Sequence, residues 1–274
     1  MSEARKSQAK EIQKKDAANL PANFDLESYA GQGFENASGS DAKLPILKIL
    51  HTSSPYLDES DPKYVEGAKF GDIFSEASGN LWKGTEGILV IPCFFVNTYN
   101  EWKDMGEKIG RPAKIHLDPA IMTQTKRDKG GKDRLPNGNY VEDTGNHFVL
   151  ILDKDLNPVE QALIAMKSTQ RKKSRTWITM MNTRRVQGKT KLYNPASWQT
   201  VYKLTTSRES NQQYKWAGWN VEFHSYLDAQ KNAKLLKSSY DFFNSCAKND
   251  VFGEVEFAEE QKVKKVESTG STPF

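Results

Sequence analysis

Ala162-Leu163-Ile164-Ala165-Met166 runs straight into Lys167-Ser168-Thr169-Gln170-Arg171-Lys172-Lys173-Ser174-Arg175-Thr176-Trp177-Ile178-Thr179-Met180-Met181-Asn182-Thr183-Arg184-Arg185. The first run reads as the return strand of a hairpin. The second carries seven cationic side chains, Lys167, Arg171, Lys172, Lys173, Arg175, Arg184 and Arg185, with almost no acid to neutralise them. With Ser168 or Thr169 as the N-cap, Trp177, Ile178 and Met181 share one face at helical spacing. Arg171, Lys172, Arg175 and Arg184 then stand largely to one side of that face. Such a helix presses one stripe into a core and holds its cations over a neighbouring groove, an arrangement suited to a phosphate chain. The alternative is a solvated basic face, the usual fate of a charge run.

Upstream, His147-Phe148-Val149-Leu150-Ile151-Leu152 is a strand, Asp153 to Pro158 turns the chain, and Val159 to Met166 completes the hairpin. The strongest strand signal is Gly87 to Trp102, a β-branched and aromatic run in which Pro92 marks a bulge or an edge. Leu44 to Leu50 is a further strand. Between them, 103–144 is rich in Gly, Lys, Arg and Asp and reads as an insertion loop, with a short helix near Pro119 to Thr125. Its basic residues between Lys126 and Arg134 make it a second candidate for an anion contact, or an exposed hinge. Downstream come two strands, Trp198 to Thr206 and Tyr214 to Phe223. An amphipathic helix follows over Tyr226 to Ala247, its stripe built from Tyr226, Ala229, Ala233, Leu236, Tyr240 and Phe243. That stripe suits core packing first and a subunit interface second, so a homo-oligomer is an alternative.

Several strands, one inserted helix, two more strands and a final helix fit a mainly β, α+β architecture. The expected form is the oligonucleotide-binding (OB) fold, a five-stranded partly open barrel. The folded domain is expected over 41–248, between a polar N-terminal arm, 1–40, and an acidic, flexible C-terminal tail, 249–274. Tyr99, Trp102, Trp198, Tyr202, Tyr214, Trp216 and Trp219 lie on or beside strands, interleaved with Lys103, Lys191, Lys203 and Lys215. Rings that stack bases and cations that follow the backbone are what single-stranded DNA requires. The candidate DNA-binding set is therefore the seven basic residues above with Tyr99, Trp102, Lys103, Tyr202, Lys203, Tyr214, Lys215 and Trp216. About half of the rings are expected to be core instead.

Composition narrows the rest. Net charge is only +4, from 39 basic and 35 acidic residues, but acids are sparse in 162–191 and gather near the C-terminus. There is no apolar run long enough for a membrane span and no apolar signal-peptide core at the N-terminus. Cys93 and Cys246 are the two cysteines, and the expected setting is reduced and cytoplasmic. His51, His116, His147 and His224 are scattered without zinc-site spacing, and Gly130-Gly131-Lys132 is too short for a phosphate loop. Asp153 with Asp155, and Glu142 with Asp143, are the acid pairs a magnesium-dependent nuclease would need, yet both sit in turn-like text. Neither catalysis nor a cofactor is expected.

The block Ala165 to Gln170 followed by Lys172 to Trp177, together with the order of elements, resembles phage single-stranded DNA-binding proteins of the podovirus replication type. Asp41 to Leu50 and Ile91 to Phe95 resemble uncharacterised phage proteins of the same group, and the similarity covers residues 41–225. It implies an OB fold, coating of the displaced strand during replication, and a mobile acidic tail ending in Phe; the expected function is coating of single-stranded DNA during phage replication or recombination. Pro273-Phe274 is also similar to the tip of bacterial single-stranded DNA-binding proteins, which implies replication proteins as partners through Phe274. Lys262, Lys264 and Lys265 interrupt the acidity of this tail, and its last six residues carry no acid. A strand-annealing recombinase and a virion structural protein are the alternatives.

Overall fold

Leu47–Ile49 (β1), Ile73–Ser75 (β2) and Leu81–Trp82 (β3) form a small antiparallel meander over a satellite core of Leu50, Tyr56 and Phe74. The computed structural model describes residues 33, 44–103, 112–211 and 215–248. The N-terminal arm (apart from Gly33), residues 104–111, Tyr214 and the acidic tail with Phe274 lie outside the described residues.

The main sheet is built on two long antiparallel strands, Ile88–Trp102 (β4) and Tyr140–Leu152 (β8). Between them the chain forms Lys114–His116 (β5), Lys126–Arg127 (β6) and Asp133–Arg134 (β7). After β8 come Pro158–Lys167 (β9), the helix Arg171–Asn182 (α1) and a hairpin of Val186–Gln187 (β10) and Leu192–Tyr193 (β11). Thr200–Ser210 (β12), Lys215–Tyr226 (β13) and Ala233–Ala247 (α2) follow. At one end of the β4–β8 pair the strand order is β13-β12-β4-β8-β9, all antiparallel. At the other end β5 pairs with β4, and β7 with β8. The mainly β architecture with helices is therefore present, as a curled half-barrel sheet.

The curl has a local cause. The β4–β8, β8–β9 and β12–β13 ladders each shift register once at the same end of the sheet, leaving Cys93 on β4, Val159 on β9 and His224 on β13 as extra residues. Extra residues of this kind bend a strand and strengthen its twist. Pro92, which has no N–H for a ladder, sits at one of them.

The apolar runs of β4 and β8 lack polar alternation because both faces of the sheet are covered. Val90, Val149, Ile151, Ile164, Met166, Trp177, Tyr202 and Leu204 fill the inner core under α1. Ile91, Cys93, Phe148, Leu150, Leu152 and Val201 meet Leu235, Phe242 and Cys246 of α2 on the outer face. Both cysteines are free and buried, and burial pushes the Cys93 thiol up and the Cys246 thiol up to about 12. They are core residues, not reactive ones.

Three boundaries differ from expectation. First, α2 begins at Ala233, not Tyr226, because β13 continues to Tyr226 and the Asp228 carboxylate then accepts from the backbone N–H groups of Gln230 and Lys231. Its buried stripe is Leu235, Ser239, Phe242 and Cys246, with Tyr240 exposed. The Ser239 hydroxyl donating to the Trp198 carbonyl, 3.0 Å, fixes that rotation.

Second, β8 starts at Tyr140. Its polar opening half pairs with an equally polar end of β4 through Asn97–Asp143, Asn100–Thr144 and Asn146–Thr98 side-chain bonds. Third, the described part of the insertion, 112–139, is anchored. The buried Glu101 carboxylate bonds His116 Nε2 at 2.9 Å and accepts from Asn137 and Asn139 at 3.2 and 2.5 Å. The short helix of the insertion is a 3-10 segment, Pro119–Gln124, capped by Asp118.

Candidate functional site

The seat of α1 explains where its charges go. Trp177 lies against His147, ring centroids 4.4 Å apart and nearly parallel, and meets Tyr202 edge-on at 5.7 Å. Gly145 on β8 clears the space, since a Cβ there would stand 3.0 Å from Arg171 Nη1 and closer still to Ser174 Oγ. No Ser or Thr side chain caps the helix. Gln170 instead accepts the Trp219 backbone N–H at 2.8 Å, tying the first turn to β13.

With the helix held this close, its inward cations find acids on the sheet. Arg171 Nε donates to Asp143 at 2.8 Å, its Nη1 to Ser174 Oγ at 3.1 Å and its Nη2 to Asn97 Oδ1, and its side chain is only 14% exposed. Lys173 pairs with Glu209 and reaches Asn220 at 3.4 Å. Arg175 pairs with Asp143 at 3.1 Å, and Lys167 with Glu142 at 3.0 Å while its ammonium sits 5.8 Å over the Trp102 ring. Burial works to raise the Glu209 pKa, but bonds from Lys173, Trp216 and Gln170 outweigh it and hold the carboxyl below its ordinary range. The expected basic face of α1 is thus largely neutralised. Lys172 alone of the four in Arg171–Arg175 is exposed with no partner among the described residues. A cation already paired in this way has few counterions to release to a phosphate.

The aromatic candidates separate as well. Tyr202 is 0% exposed and belongs to the inner core, so its ring offers no face to a base. It was expected at the surface; it is buried because both faces of β12 are covered at this end. Trp219 is core too, whereas Tyr99, Trp102 and Trp216 are half-buried. The Trp216 indole donates to Glu209 at 2.7 Å. Lys103 is exposed at the end of β4, Lys203 is half-buried, and exposed Lys215 lines a cleft of about 430 Å³ with Phe70 and Arg208. In the insertion, Arg127 and Arg134 are paired with Asp133 and Asp128.

Lys172, Lys203, Arg208 and Lys215 have no ion pair among the described residues, and a further group of such cations follows α1. Arg184, Arg185, Lys189 and Lys191 take part in no ion pair among the described residues, and no acid occurs between Glu160 and Glu209. Arg184 lays its guanidinium 3.5 Å over the Phe223 ring. Arg185 donates to the Asn182 and Arg184 carbonyls at 2.8 and 2.7 Å, closing the end of the helix. Lys189 and Lys191 stand on the turn between β10 and β11, and Leu192 and Tyr193 on β11 are 63% and 42% exposed. At the foot of this hairpin lies a cleft of about 470 Å³ between α1, the bulge of β4 and the Asn194–Ser197 segment. Sequence reasoning picked out Arg184, Arg185 and Lys191 but missed Lys189, Leu192 and Tyr193. The signal for them was the acid-free text running past the end of the helix.

A protein-family model described as Pam3 phage gp34-like protein matches residues 13–251. The chain belongs to that family. The match to the Pam3 phage gp34-like family takes in the whole described sheet, α1, the cationic hairpin and α2. No curated protein and no solved structure matches the chain.

The acid pairs considered for catalysis have other work in this family member. Asp153 accepts from the backbone N–H groups of Asp155 and Asn157 and from the Asn157 side chain, which shapes the β8–β9 turn. Glu142 and Asp143 are taken by Lys167, Arg171 and Arg175. Among the described residues no cluster of three or more His, Cys, Asp or Glu is placed to hold a metal ion, and no helix is long and apolar enough to cross a membrane.

Proposed function

We propose that this chain binds single-stranded DNA, with little sequence preference and without chemistry on it, and coats it during phage DNA replication or recombination. The observation that carries the reading is the segment from the end of α1 through the hairpin: Arg184, Arg185, Lys189 and Lys191, without acidic partners among the described residues, beside the exposed Leu192 and Tyr193. Unpaired cations supply a phosphate chain with salt-sensitive, sequence-independent attraction, and an exposed ring next to them stacks any base.

The connectivity supports the same reading. The β4-β8-β9 meander, α1, and a β12–β13 hairpin returning to the free edge of β4 follow the path of a five-stranded OB barrel with its inserted helix. β9 and β13 do not pair; α1 stands between them and touches both. Under that reading the connections after β4 and between β12 and β13 take the place of those that commonly meet oligonucleotides. Trp102, Lys103, Lys167, Lys215 and Trp216 lie beside them, as a secondary rim. The family description names a phage, which suits a role in the host cytoplasm. The tail from 249, outside the described residues, is proposed to hook replication proteins through Phe274.

The test is titration of the full chain into labelled single- and double-stranded oligonucleotides at two salt concentrations. The expected result is preferential binding of the single strand that weakens as salt rises. Equal affinity for both forms, or none for either, would overturn the reading. Shortening of the oligonucleotide would replace it with a nuclease, and efficient pairing of complementary strands would make the protein an annealing factor.

A further inference from the structure

The tip of the β12–β13 ribbon carries cations that no acid meets. Arg208 pairs across the ribbon with Ala217, and Ser210 with Lys215. Both cations are exposed, and neither takes part in an ion pair among the described residues. Side chains alternate along a strand, so Arg208, Ser210 and Lys215 share one face while Glu209 and Trp216 take the other. On that other face the Glu209 carboxylate is bound by Lys173 and by the Trp216 indole. The acid that lies between the two cations in sequence is therefore engaged elsewhere.

Arg208 and Lys215 line the cleft of about 430 Å³, a volume within the range of small-ligand sites. The β1–β2 connection completes it with Thr52 and Phe70. Phe70 is half-buried, meets His51 edge-on at 6.5 Å, and has the Arg208 guanidinium 5.3 Å from its ring centroid. The cleft thus combines an aromatic ring, two cations without acidic partners and the hydroxyl groups of exposed Thr52 and Ser210. A bare anion would leave the ring unused, and an uncharged aromatic molecule would leave the cations unused. A flat body attached to negative charge, as in a nucleotide, uses both.

The cleft also stands in a fixed relation to the cations that follow α1. Arg184 lies over Phe223, and Phe223 pairs with Tyr202 on the face of the ribbon that Arg208 shares. From Tyr202 to Arg208 the strand advances about 20 Å, at about 3.3 Å per residue. A strand stacked at about 3.4 Å per nucleotide covers that length in about six nucleotides, inside the range of about 4–16 bound by one OB fold.

We propose that this cleft holds a second point of the bound single strand, one nucleotide with its phosphate on Arg208 and Lys215 and its base against Phe70. The inference rests on the single-strand reading above. It adds a contact supplied by the β1–β2 connection, outside the strands of the main sheet. Phosphate and ring face are common to all nucleotides, so this contact keeps sequence preference weak.

The experiment compares the full chain with Arg208→Ala/Lys215→Ala on a labelled thymidine oligonucleotide of about sixteen nucleotides, the upper end of the site sizes for one OB fold. Both side chains are exposed, so the melting transition should be retained. The variant should bind roughly tenfold more weakly at low salt, with a salt slope flatter by up to about 1.4, two phosphates at about 0.7 each. In parallel, strands carrying 5-iodouracil at successive positions are photo-crosslinked to the parent chain, and the joined residue is read by mass spectrometry. A crosslink at Phe70 is expected. Parent-like affinity and slope in the variant would overturn this inference alone. A weakened variant whose parent chain gives crosslinks only away from Phe70 would reduce the two cations to a general field and also overturn it. Thymidine monophosphate bound by the parent and lost in the variant, with the long strand indifferent to the change, would make the cleft a free-nucleotide site instead. Absence of any binding of the long strand to the parent would overturn the single-strand reading, and this inference with it.

Discussion

The first turns of α1 and the hairpin that follows it carry the same kind of side chain but in opposite electrical states. Arg171, Lys173 and Arg175 face the sheet and are matched by Asp143 and Glu209. Arg184 and Arg185 at the end of α1, and Lys189 and Lys191 on the hairpin turn, meet no carboxylate among the described residues. The helix uses its cations to hold itself on the sheet, and the cations that follow it have no acidic partner among the described residues. A run of basic residues is thus not one site. Its structural part is the part that finds acids brought by another strand.

The comparison predicts that perturbing the helix damages stability and perturbing the hairpin damages binding. The largest effect is expected for Trp177→Ala, which empties a fully buried site between His147 and Tyr202. Loss of roughly 3–5 kcal/mol is expected in chemical denaturation, and a stability within about 1 kcal/mol of the parent, on the same scale, would place the helix off the core. Arg171→Ala comes next. It removes the donor to Asn97 Oδ1 and one donor to Asp143, which keeps Arg175 and the Asn97 amide, and about 1.5–3 kcal/mol should be lost, with the salt dependence of DNA binding little changed. If Arg171→Ala alters salt dependence and spares stability, the division between helix and hairpin is wrong.

Acid should act on the same side of the comparison. The folded-state pKa of His147 lies at about 3, below the ordinary value of about 6.5 reached in the unfolded chain. The unfolded chain therefore binds the extra proton first. Stability from this group is complete above about pH 6.5 and declines as pH falls toward 3. By pH 5 the decline amounts to about 2 kcal/mol. Glu209, held below its ordinary pKa, adds a loss of the same sign at lower pH. Denaturation curves at pH 7 and pH 5 check this, and identical curves would contradict the buried neutral imidazole. The smallest stability effect is expected for Lys189→Ala with Lys191→Ala, within about 0.5 kcal/mol, as for surface changes elsewhere.

Much of the frame was legible because it rests on long patterns. The β-branched and aromatic run of β4 was legible as a strand with a bulge or an edge at Pro92, and Trp177 was readable as core from its helical spacing. The pairing of the helix was not legible. Asp143 lies 28 residues from Arg171, and Glu209 lies 36 from Lys173. Both acids sit in polar strand ends whose β character comes from cross-strand amide bonds and not from any apolar alternation. Tyr202 misled because a ring beside a lysine looks like a surface pair, while the covered inner face claims it. The hairpin escaped because strands of two residues have no period to detect. Its one signal, the persistence of cations without acids past Asn182, was present but was assigned to the helix.

The measurement that tests the central claim most directly is the salt dependence of single-strand affinity for two charge-removal variants compared with the parent. One, called the hairpin variant, is Arg184→Ala/Arg185→Ala/Lys189→Ala/Lys191→Ala, from the end of α1 through the hairpin; the other is Lys173→Ala/Arg175→Ala in the first turns of the helix. For the hairpin variant, the slope of log affinity against log salt should flatten by up to about 0.7 for each phosphate that is no longer neutralised, with the melting transition retained. For the helix variant the slope should stay near that of the parent while the melting temperature falls. A flattened slope in the helix variant with an unchanged slope in the hairpin variant would contradict the account.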